Sequence, residues 1–399
     1  MLTQIYNGHI LTPQGWIDGG SVLMENGLIT EIRKNSNFEP HAEKTVDAQG
    51  MHVVPGGIEL HSHGAGGRDF MEGTAEAFQV AVHSHLLHGT TAIFPTLSSS
   101  TAKMIEDACT ACQSVMENDP ETPVMGLHLE GPYFNPRKSG AQLPDIIRTP
   151  DEREYHHFVE DFDCIRRWDA APELPGAIEF GKYVTSKGIL AAIGHTDAEY
   201  PDVKAAWDAG YRHVTHFYNA MPGFHNVREY KHAGTVEAVY LIEPMTVEVI
   251  ADGIHVPAPI LKLIAHVKGV ERMALITDSL AVTASNTDRA FDPRVIIEDG
   301  VCKLSDRSAL AGSIATMDRL IRTAVNIAEI PLNDAIRMVS ETPARIMGIY
   351  DRKGSLQRGK DADVLILDDT LSLRSVYAMG KLVEGTDTLG DPSQATATP

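Results

Sequence analysis

Histidine and carboxylate side chains stand at the ends of several short apolar segments of the chain. Six of them follow this pattern: His61, His63, Glu130, His195, His216 and Asp278. Imidazole nitrogen and carboxylate oxygen are ligands that zinc and similar divalent ions accept, and catalytic sites of this kind keep one position open for water. These residue types therefore predict a divalent-metal centre that activates a water molecule.

The spacing of the histidines separates candidate ligands from other histidines. His61 and His63 are two apart in a strand-like segment, so both side chains point to the same side and can address one ion. The same His-Ser-His string recurs at His83 and His85, but in a helix-like segment, where residues two apart diverge by about 200°. We predict structural or solvent-facing roles for that pair. His128 lies one layer below Glu130, and we predict that it packs in the interior.

The segments that carry these residues alternate with helix-like stretches. Eight apolar runs fit the pattern: Gly57–His63, Thr91–Leu97, Val124–Glu130, Ile189–His195, His213–Phe217, Thr246–Asp252, Met273–Asp278 and Ala309–Gly312. Eight strand–helix repeats predict a (β/α)8 TIM-type barrel of the α/β class, whose active site lies at the carboxyl ends of the strands. In this count His195 closes the fourth strand, His216 lies in the fifth and Asp278 closes the seventh.

Both ends of the chain have a different sequence pattern from the middle. Short strand-like runs separated by glycine-containing turns occupy the first fifty residues and return after Gly354. We predict one small β-sandwich domain built from residues 1–54 and 354–399, attached to a catalytic barrel formed by residues 55–353.

Composition excludes several classes of protein. The formal net charge of −20 argues against nucleic acid and anionic membranes as partners, because both require a basic surface. Four cysteines in 399 residues do not indicate a disulfide framework. The sequence also lacks a long apolar run and a signal-like start, so the expected location is the cytoplasm.

Motifs for other catalytic strategies are missing from the sequence. It has no G-x-S-x-G elbow for a serine nucleophile and no G-x-x-x-x-G-K-[ST] loop for phosphate. Any phosphate on a substrate must therefore be held by side chains in a locally basic pocket.

An ordered set of short strings connects the chain to a known family. HSH, HLEGP, GHT, THFYNAMP, ADGIH, TDS, LAGS and GKDADVLILD follow one another in the sequence. In this order they resemble the strings of the N-acetylglucosamine-6-phosphate deacetylases, which belong to the amidohydrolase superfamily. The resemblance covers nearly the whole chain. It implies hydrolysis of the acetamide of a sugar phosphate, a divalent cofactor expected to be zinc, and a homodimer whose phosphate site can cross the subunit interface.

The resemblance also implies roles for single residues. Glu130, His195 and His216 match the metal ligands common to the family, whereas His61 and His63 match the extra pair of members that hold two ions. One essential ion and up to two per chain are therefore expected. Asp278 matches the catalytic acid–base. The positions that match contacts to the sugar phosphate are Ala141, Gln142, Asn219, Ala220, Arg228, His255, Leu310, Ala311 and Gly312.

Two departures from the family pattern bear on substrate choice. Gln142 stands where many members have histidine. The usual Arg-Glu-Pro-Gly string after NAMP is replaced by the longer stretch from Arg228 to Gly234. These differences leave the geometry of the phosphate loop open.

Four other functions remain to be weighed. A deacetylase for N-acetylgalactosamine 6-phosphate differs only in one hydroxyl epimer. A cyclic amidase or a nucleobase deaminase would use the same superfamily barrel, but the cyclic amidases bridge two metals with a modified lysine, and Glu130 has no lysine near it in the sequence. A catalytically dead scaffold would have lost a ligand or the aspartate, and this chain retains them all.

Overall fold

The computed structural model describes residues 1–37, 39–287, 289–387 and 389. In chain order the strands are β1 (Thr3–Thr12), β2 (Gly15–Glu25), β3 (Leu28–Arg33), β4 (Lys44–Asp47), β5 (His52–Pro55), β6 (Gly57–Ser62), β7 (Gly64–Ala65), β8 (Arg68–Asp69), β9 (Thr90–Leu97), β10 (Leu127–Tyr133), β11 (Ile165–Ala170), β12 (Leu190–Ile193), β13 (His213–Val214), β14 (His225–Val227), β15 (Tyr230–His232), β16 (Thr246–Ile250), β17 (Met273–Ile276), β18 (Val295–Glu298), β19 (Val301–Leu304), β20 (Val364–Leu367), β21 (Leu373–Ala378) and β22 (Lys381–Leu382). The α-helices are α1 (Ala75–Leu86), α2 (Ala102–Asn118), α3 (Glu152–Asp161), α4 (Ala177–Ser186), α5 (Tyr200–Asp208), α6 (Thr235–Leu241), α7 (Ala258–Lys268), α8 (Met317–Asn326), α9 (Leu332–Val339) and α10 (Glu341–Ile346).

Eight parallel strands form the predicted barrel. Their order in the sheet is β17-β16-β13-β12-β11-β10-β9-β6. The two end strands meet through backbone hydrogen bonds, because the amide of Asp278 donates to the carbonyl of His61 at 2.9 Å and the amide of His63 donates to Ser279 at 2.8 Å. The barrel thus closes at a seam made by residues of the predicted metal site.

The fourth strand of the barrel differs from the prediction. It is β11, with the sequence IRRWDA, and its Arg167 and Asp169 are completely buried. The eighth run predicted from the sequence, Ala309–Gly312, is not a barrel strand. It leads instead to Ser313, which pairs with Asp278 and Leu280 along the rim. His195, His216 and Asp278 therefore follow the fifth, sixth and eighth strands.

The barrel strands are buried on both faces, and helices cover them on the outside. Every residue of β6, β9 and β10 is buried, as expected for strands of a parallel sheet covered by helices. Side-chain caps fix where several of these helices begin. Thr74 accepts a hydrogen bond from the amide of Ala77 at the start of α1, and Thr101 accepts from Met104 at the start of α2.

The strands of the two chain ends form a second sheet. Its order is β22-β21-β20-β5-β1-β2-β3, with β4 paired to β1. A separate hydrophobic cluster, which includes Ile5, Val22, Val53, Ile366 and Tyr377, joins the two ends. This arrangement agrees with the predicted β-sandwich. The boundaries at 54/55 and 353/354 stay a prediction, and residues 388 and 390–399 of that segment lie outside the described residues.

Helix length and cysteine pairing are two further features of the described residues. No helix among the described residues is long and apolar enough to cross a membrane. The four cysteines are free and buried, and Cys109 and Cys112 lie within α2. The C-x-x-C string is therefore part of a helix and not a disulfide.

Candidate active site

The six side chains singled out in the sequence meet at the carboxyl end of the barrel. All of them are at most 7% exposed. Two groups have ligand atoms within 4.8 Å of one another, one made by His61, His63 and Glu130 and the other by Glu130, His195 and His216. Glu130 belongs to both groups, so its carboxylate can contact two ions.

The backbone is unusual at three of these strand ends. His195, His216 and Asp278 have φ angles of 44°, 27° and 47°, in the left-handed region that residues other than glycine rarely occupy. Such conformations cost free energy and persist where the surrounding structure imposes them. Here they turn three side chains from separate strands toward one centre.

His195 carries a lone pair that faces other acceptors. Its Nδ1 lies 2.8 Å from the carbonyl oxygen of Lys138, which can only accept, so Nδ1 carries the proton. The Nε2 lone pair then faces Glu130 Oε1 at 3.1 Å and His216 Nε2 at 3.0 Å. A cation among these atoms satisfies them all, which matches the imidazole and carboxylate ligands of a divalent metal.

His61 shows the same pattern in the second group. Its Nδ1 donates to Glu248 Oε1 at 2.7 Å. The buried Nε2 has no hydrogen-bond partner within the described part of the chain, and it faces Glu130 Oε1 at 3.7 Å and Asp278 Oδ1 at 3.5 Å. An imidazole nitrogen that faces two carboxylate oxygens holds either a proton or a metal ion between them, and a divalent cation bound here would take the place of the proton.

The carboxylates make the centre strongly attractive to positive charge. Burial alone favours neutral groups, yet the pKa of His61 lies well above its usual range because Asp278, Glu130 and Glu248 surround it. Burial likewise opposes the charge of Glu130, but the neighbouring His61, His195 and His216 hold the pKa of this carboxyl well below its usual range. The centre is therefore built to hold anionic carboxylates around a cation.

A cavity of about 690 Å³ opens above this centre, a volume suited to a small-molecule ligand. His63, Glu130, His195, His216 and Asp278 line its floor. Eight of the nine predicted substrate contacts line the cavity as well, namely Ala141, Gln142, Asn219, Ala220, His255, Leu310, Ala311 and Gly312.

Arg228 is the ninth predicted contact, and it does not line the cavity of its own chain. It is exposed at the tip of the β14–β15 hairpin, with a φ angle of 56°. Phe224 and Tyr230, on and beside the same hairpin, are 65% and 66% exposed.

Gln142 contacts a predicted metal ligand in this structure. Its Nε2 donates to Glu130 Oε2 at 2.7 Å, and its Oε1 accepts from the backbone amide of Ser99 at 2.7 Å. The amide at this position therefore orients Glu130 besides lining the cavity. Its contact with a substrate carbonyl stays a prediction.

His255 is fixed by its neighbour on the loop after β16. Asp252 Oδ2 accepts from His255 Nδ1 at 2.7 Å, and Asp252 Oδ1 accepts from the backbone amide of His255 at 2.9 Å. Burial opposes the charge of Asp252, but the bond from His255 lowers the pKa of this carboxyl. The ring of His255 is thus held so that Nε2 is its remaining hydrogen-bonding atom.

A buried charge network beneath the metal centre was not foreseen from the sequence. Arg167 donates to both Asp169 and Glu248, and His128 Nε2 lies 2.8 Å from Asp169 Oδ2. His128 is completely buried, which agrees with its predicted packing role. The sequence signal for this network is a charged residue inside an apolar strand, such as Glu248 in TVEVI. The sequence alone does not show that such a residue pairs with one about eighty positions away, as Glu248 does with Arg167.

Comparison with known proteins assigns the family. The model of the amidohydrolase family matches residues 52–384, a span that contains all six residues of the centre. The chain belongs to the amidohydrolase family. The resemblance seen in the sequence is thereby confirmed at the level of the family and its barrel.

Several amidohydrolases are similar to this chain over nearly its full length. An N-acetylglucosamine-6-phosphate deacetylase from Haemophilus influenzae is 31% identical over 371 residues, covering 91% of this chain and 94% of the relative. An N-acetylgalactosamine-6-phosphate deacetylase from Escherichia coli is 29% identical over 378 residues, covering 94% and 97%.

Solved structures show the same architecture. An N-acetylglucosamine-6-phosphate deacetylase from Pasteurella multocida superposes with a TM-score of 0.90 at 26% identity, covering 96% of this chain and 99% of that one. A variant of the deacetylase from Mycobacterium smegmatis, in complex with N-acetyl-D-glucosamine-6-phosphate, superposes with a TM-score of 0.86 at 28% identity, covering 96% and 99%. Both confirm the predicted fold class.

Proposed function

We propose that this amidohydrolase removes the acetyl group from N-acetyl-D-glucosamine 6-phosphate and releases acetate and D-glucosamine 6-phosphate. The observation that carries the proposal is the meeting of two metal-ligand groups and Asp278 on the floor of a cavity lined by eight predicted sugar-phosphate contacts. The similarity to deacetylases of amino-sugar phosphates over more than nine tenths of the chain supports the same substrate class.

The chain supplies the proton transfers of this reaction. Asp278 Oδ1 lies 3.1 Å from His63 Nε2 on the cavity floor. Although burial favours the neutral acid, His61 and His63 lower the pKa of Asp278, so it is an anionic base near neutral pH. A divalent ion bound here makes a water more acidic and polarises the amide carbonyl. Asp278 accepts the proton of the attacking water and returns it to the sugar nitrogen as the C–N bond breaks.

Zinc is the metal we propose, because two imidazole nitrogens and one carboxylate are a ligand set that catalytic zinc accepts. Glu130, His195 and His216 would hold the essential ion. His61 and His63 provide a second position that shares Glu130.

Phosphate recognition in this proposal involves a homodimer. Arg228 is exposed outside the cavity of its own chain, and its planar guanidinium suits two phosphate oxygens. We propose that the hairpin from one subunit brings Arg228 to the cavity of the other, where His255 and Asn219 complete the phosphate site. The exposed Phe224 and Tyr230 support burial of this hairpin against a second copy. Four free cysteines fit the reducing cytoplasm in which we place the enzyme.

An acetate-release assay on four substrates tests the proposal: N-acetylglucosamine 6-phosphate, N-acetylgalactosamine 6-phosphate and the two sugars without phosphate. We expect the highest kcat/KM with N-acetylglucosamine 6-phosphate. A preference for the galactose epimer would instead support the second candidate, to which the Escherichia coli relative gives weight. No acetate release from any of the four by metal-loaded protein would refute both and favour another amidohydrolase reaction or a dead scaffold.

A further inference from the structure

Glu248 lies in β16 directly beneath the metal centre and is completely buried. We infer that Glu248 is a positioning residue that fixes His61 as an Nε2 ligand and thereby controls the ion held by His61, His63 and Glu130. The inference rests on the proposed two-ion centre and not on the identity of the substrate.

The shortest contacts of Glu248, apart from His61, are with hydrogen-bond donors, and one further ring, His213, has its Nε2 3.4 Å from Oε2. Arg167 donates through Nη1 to Oε2 and through Nη2 to Oε1, the latter at 2.8 Å. The backbone amide of His216 donates to Oε1 at 3.3 Å. With a guanidinium and an amide converging on it, this carboxylate is held as an anion, so His61 Nδ1, 2.7 Å away, must be the protonated ring nitrogen.

The consequence for His61 is a fixed ring and a fixed tautomer. When a metal is bound, Nε2 presents a lone pair to the space between Glu130 Oε1 and Asp278 Oδ1. Outer carboxylates that accept from a ligating histidine orient the ring and increase its basicity. Without Glu248 the ring of His61 can turn or carry its proton on Nε2, and either change removes a ligand.

The effect is specific to one of the two ligand groups. In the other group, His195 is oriented by the carbonyl of Lys138 at 2.8 Å. Glu248 touches His216 only at its backbone amide and not at its ring. Loss of the Glu248 contact should therefore weaken the ion at His61 and His63 far more than the ion at His195 and His216.

Glu248→Asp is the primary test, because it keeps the charge opposite Arg167 but is one methylene shorter and withdraws the acceptor from His61. Zinc titration of metal-stripped protein by calorimetry measures the affinity of each ion, and cobalt absorption reports the ligand set independently of activity. We expect binding of one ion to weaken about 10–100-fold and the other to change less than about threefold.

Asp169→Asn is the matched control for damage to the buried network. Asp169 is also completely buried and pairs with Arg167, but it contacts His128 instead of a metal ligand. We expect this variant to unfold at a lower temperature while both zinc affinities stay within about threefold of the wild type. Equal loss of zinc affinity in both variants would overturn the positioning role.

Histidine-labelled nitrogen NMR of the wild type tests the tautomer without disturbing the network, and His61→Asn assigns the signal. The metal-loaded wild type should show His61 protonated at Nδ1, whether or not Glu248→Asp folds. A proton on Nε2 would overturn the inference. A metal count of one ion per wild-type chain would also overturn the inference. That result would leave the proposed deacetylase activity untouched, because acetate release tests the activity separately.

Discussion

Replacing Asp278 by asparagine separates proton transfer from the other features of the site. Asp278 is 7% exposed and its φ angle is 47°. Asparagine has nearly the same size and, with aspartate, tolerates the left-handed conformation better than most residues. Alanine would add about 1–2 kcal/mol of backbone strain at this position. The asparagine variant should therefore keep the backbone and lose only the proton acceptor.

The expected loss follows from the role of Asp278. A positioned acid–base contributes roughly 10²–10⁴ in rate, which corresponds to about 2.7–5.4 kcal/mol of activation free energy. Substrate binding should survive, because the contacts predicted for the sugar phosphate lie elsewhere in the cavity. We therefore expect kcat to fall by this factor while the dissociation constant of the substrate changes less than about fivefold.

The assay is steady-state acetate release from N-acetylglucosamine 6-phosphate, with metal content measured on the same samples. Asp278 Oδ1 is 3.5 Å from His61 Nε2, so rates must be compared at saturating metal to exclude a loss of the ion. Asp69→Asn is a matched control, since Asp69 is another buried carboxyl that lines the cavity, and it should keep at least a third of the turnover. More than about a tenth of wild-type turnover in a metal-saturated Asp278→Asn enzyme would refute the acid–base assignment.

Three more outcomes are expected. Elemental analysis should find one ion lost in His61→Asn, whereas His216→Asn should lose the essential ion and, in the acetate assay, all activity. Equal losses of metal and activity in both variants would contradict the proposal that only the group of Glu130, His195 and His216 holds the essential ion. Arg228→Lys should raise KM for the phosphorylated sugar, and Arg228→Ala should lower kcat/KM by about 30-fold or more; equal losses with the unphosphorylated sugar would remove Arg228 from the phosphate site. Burial and the neighbouring His88 lower the pKa of His85 to about 3. Between pH 6.5 and 3 the imidazole therefore binds a proton in the unfolded chain but not in the folded chain. The free energy of unfolding should fall as the pH falls through this range, by up to about 1.4 kcal/mol per pH unit. In urea unfolding at pH 7 and pH 5, His85→Gln should lose less unfolding free energy between the two pH values than the wild type. An equal loss in both proteins would disprove the role of His85 in acid sensitivity.

The convergence of the candidate site residues could be predicted because each one lies in or directly after an apolar run. His61 and Glu130 lie in β6 and β10, and Asp278 follows β17. The apolar character of these strands is visible in the sequence, and a parallel barrel brings their carboxyl ends to one rim. The convergence therefore followed from the fold class, although the strand numbering did not.

The strand β11 could not be predicted, because charge in its sequence indicates a surface segment. Arg167 and Asp169 are buried there because Glu248 of β16 and His128 of the neighbouring β10 pair with them. Arg228 marks a second limit. Its motif indicates a phosphate ligand, but the position of a hairpin tip relative to a cavity depends on tertiary and quaternary packing that local sequence does not encode.

The seam that closes the barrel sets a condition on when the group of His61, His63 and Glu130 can form. His61 and Asp278 are joined there by a backbone hydrogen bond although 217 positions separate them. A chain still emerging from the ribosome, or one cleaved before β17, has no Asp278 and no partner strand to hold His61 and His63 in place. Such fragments lack the closed seam, so the ligand group of His61, His63 and Glu130 is held in place only in molecules whose barrel is complete.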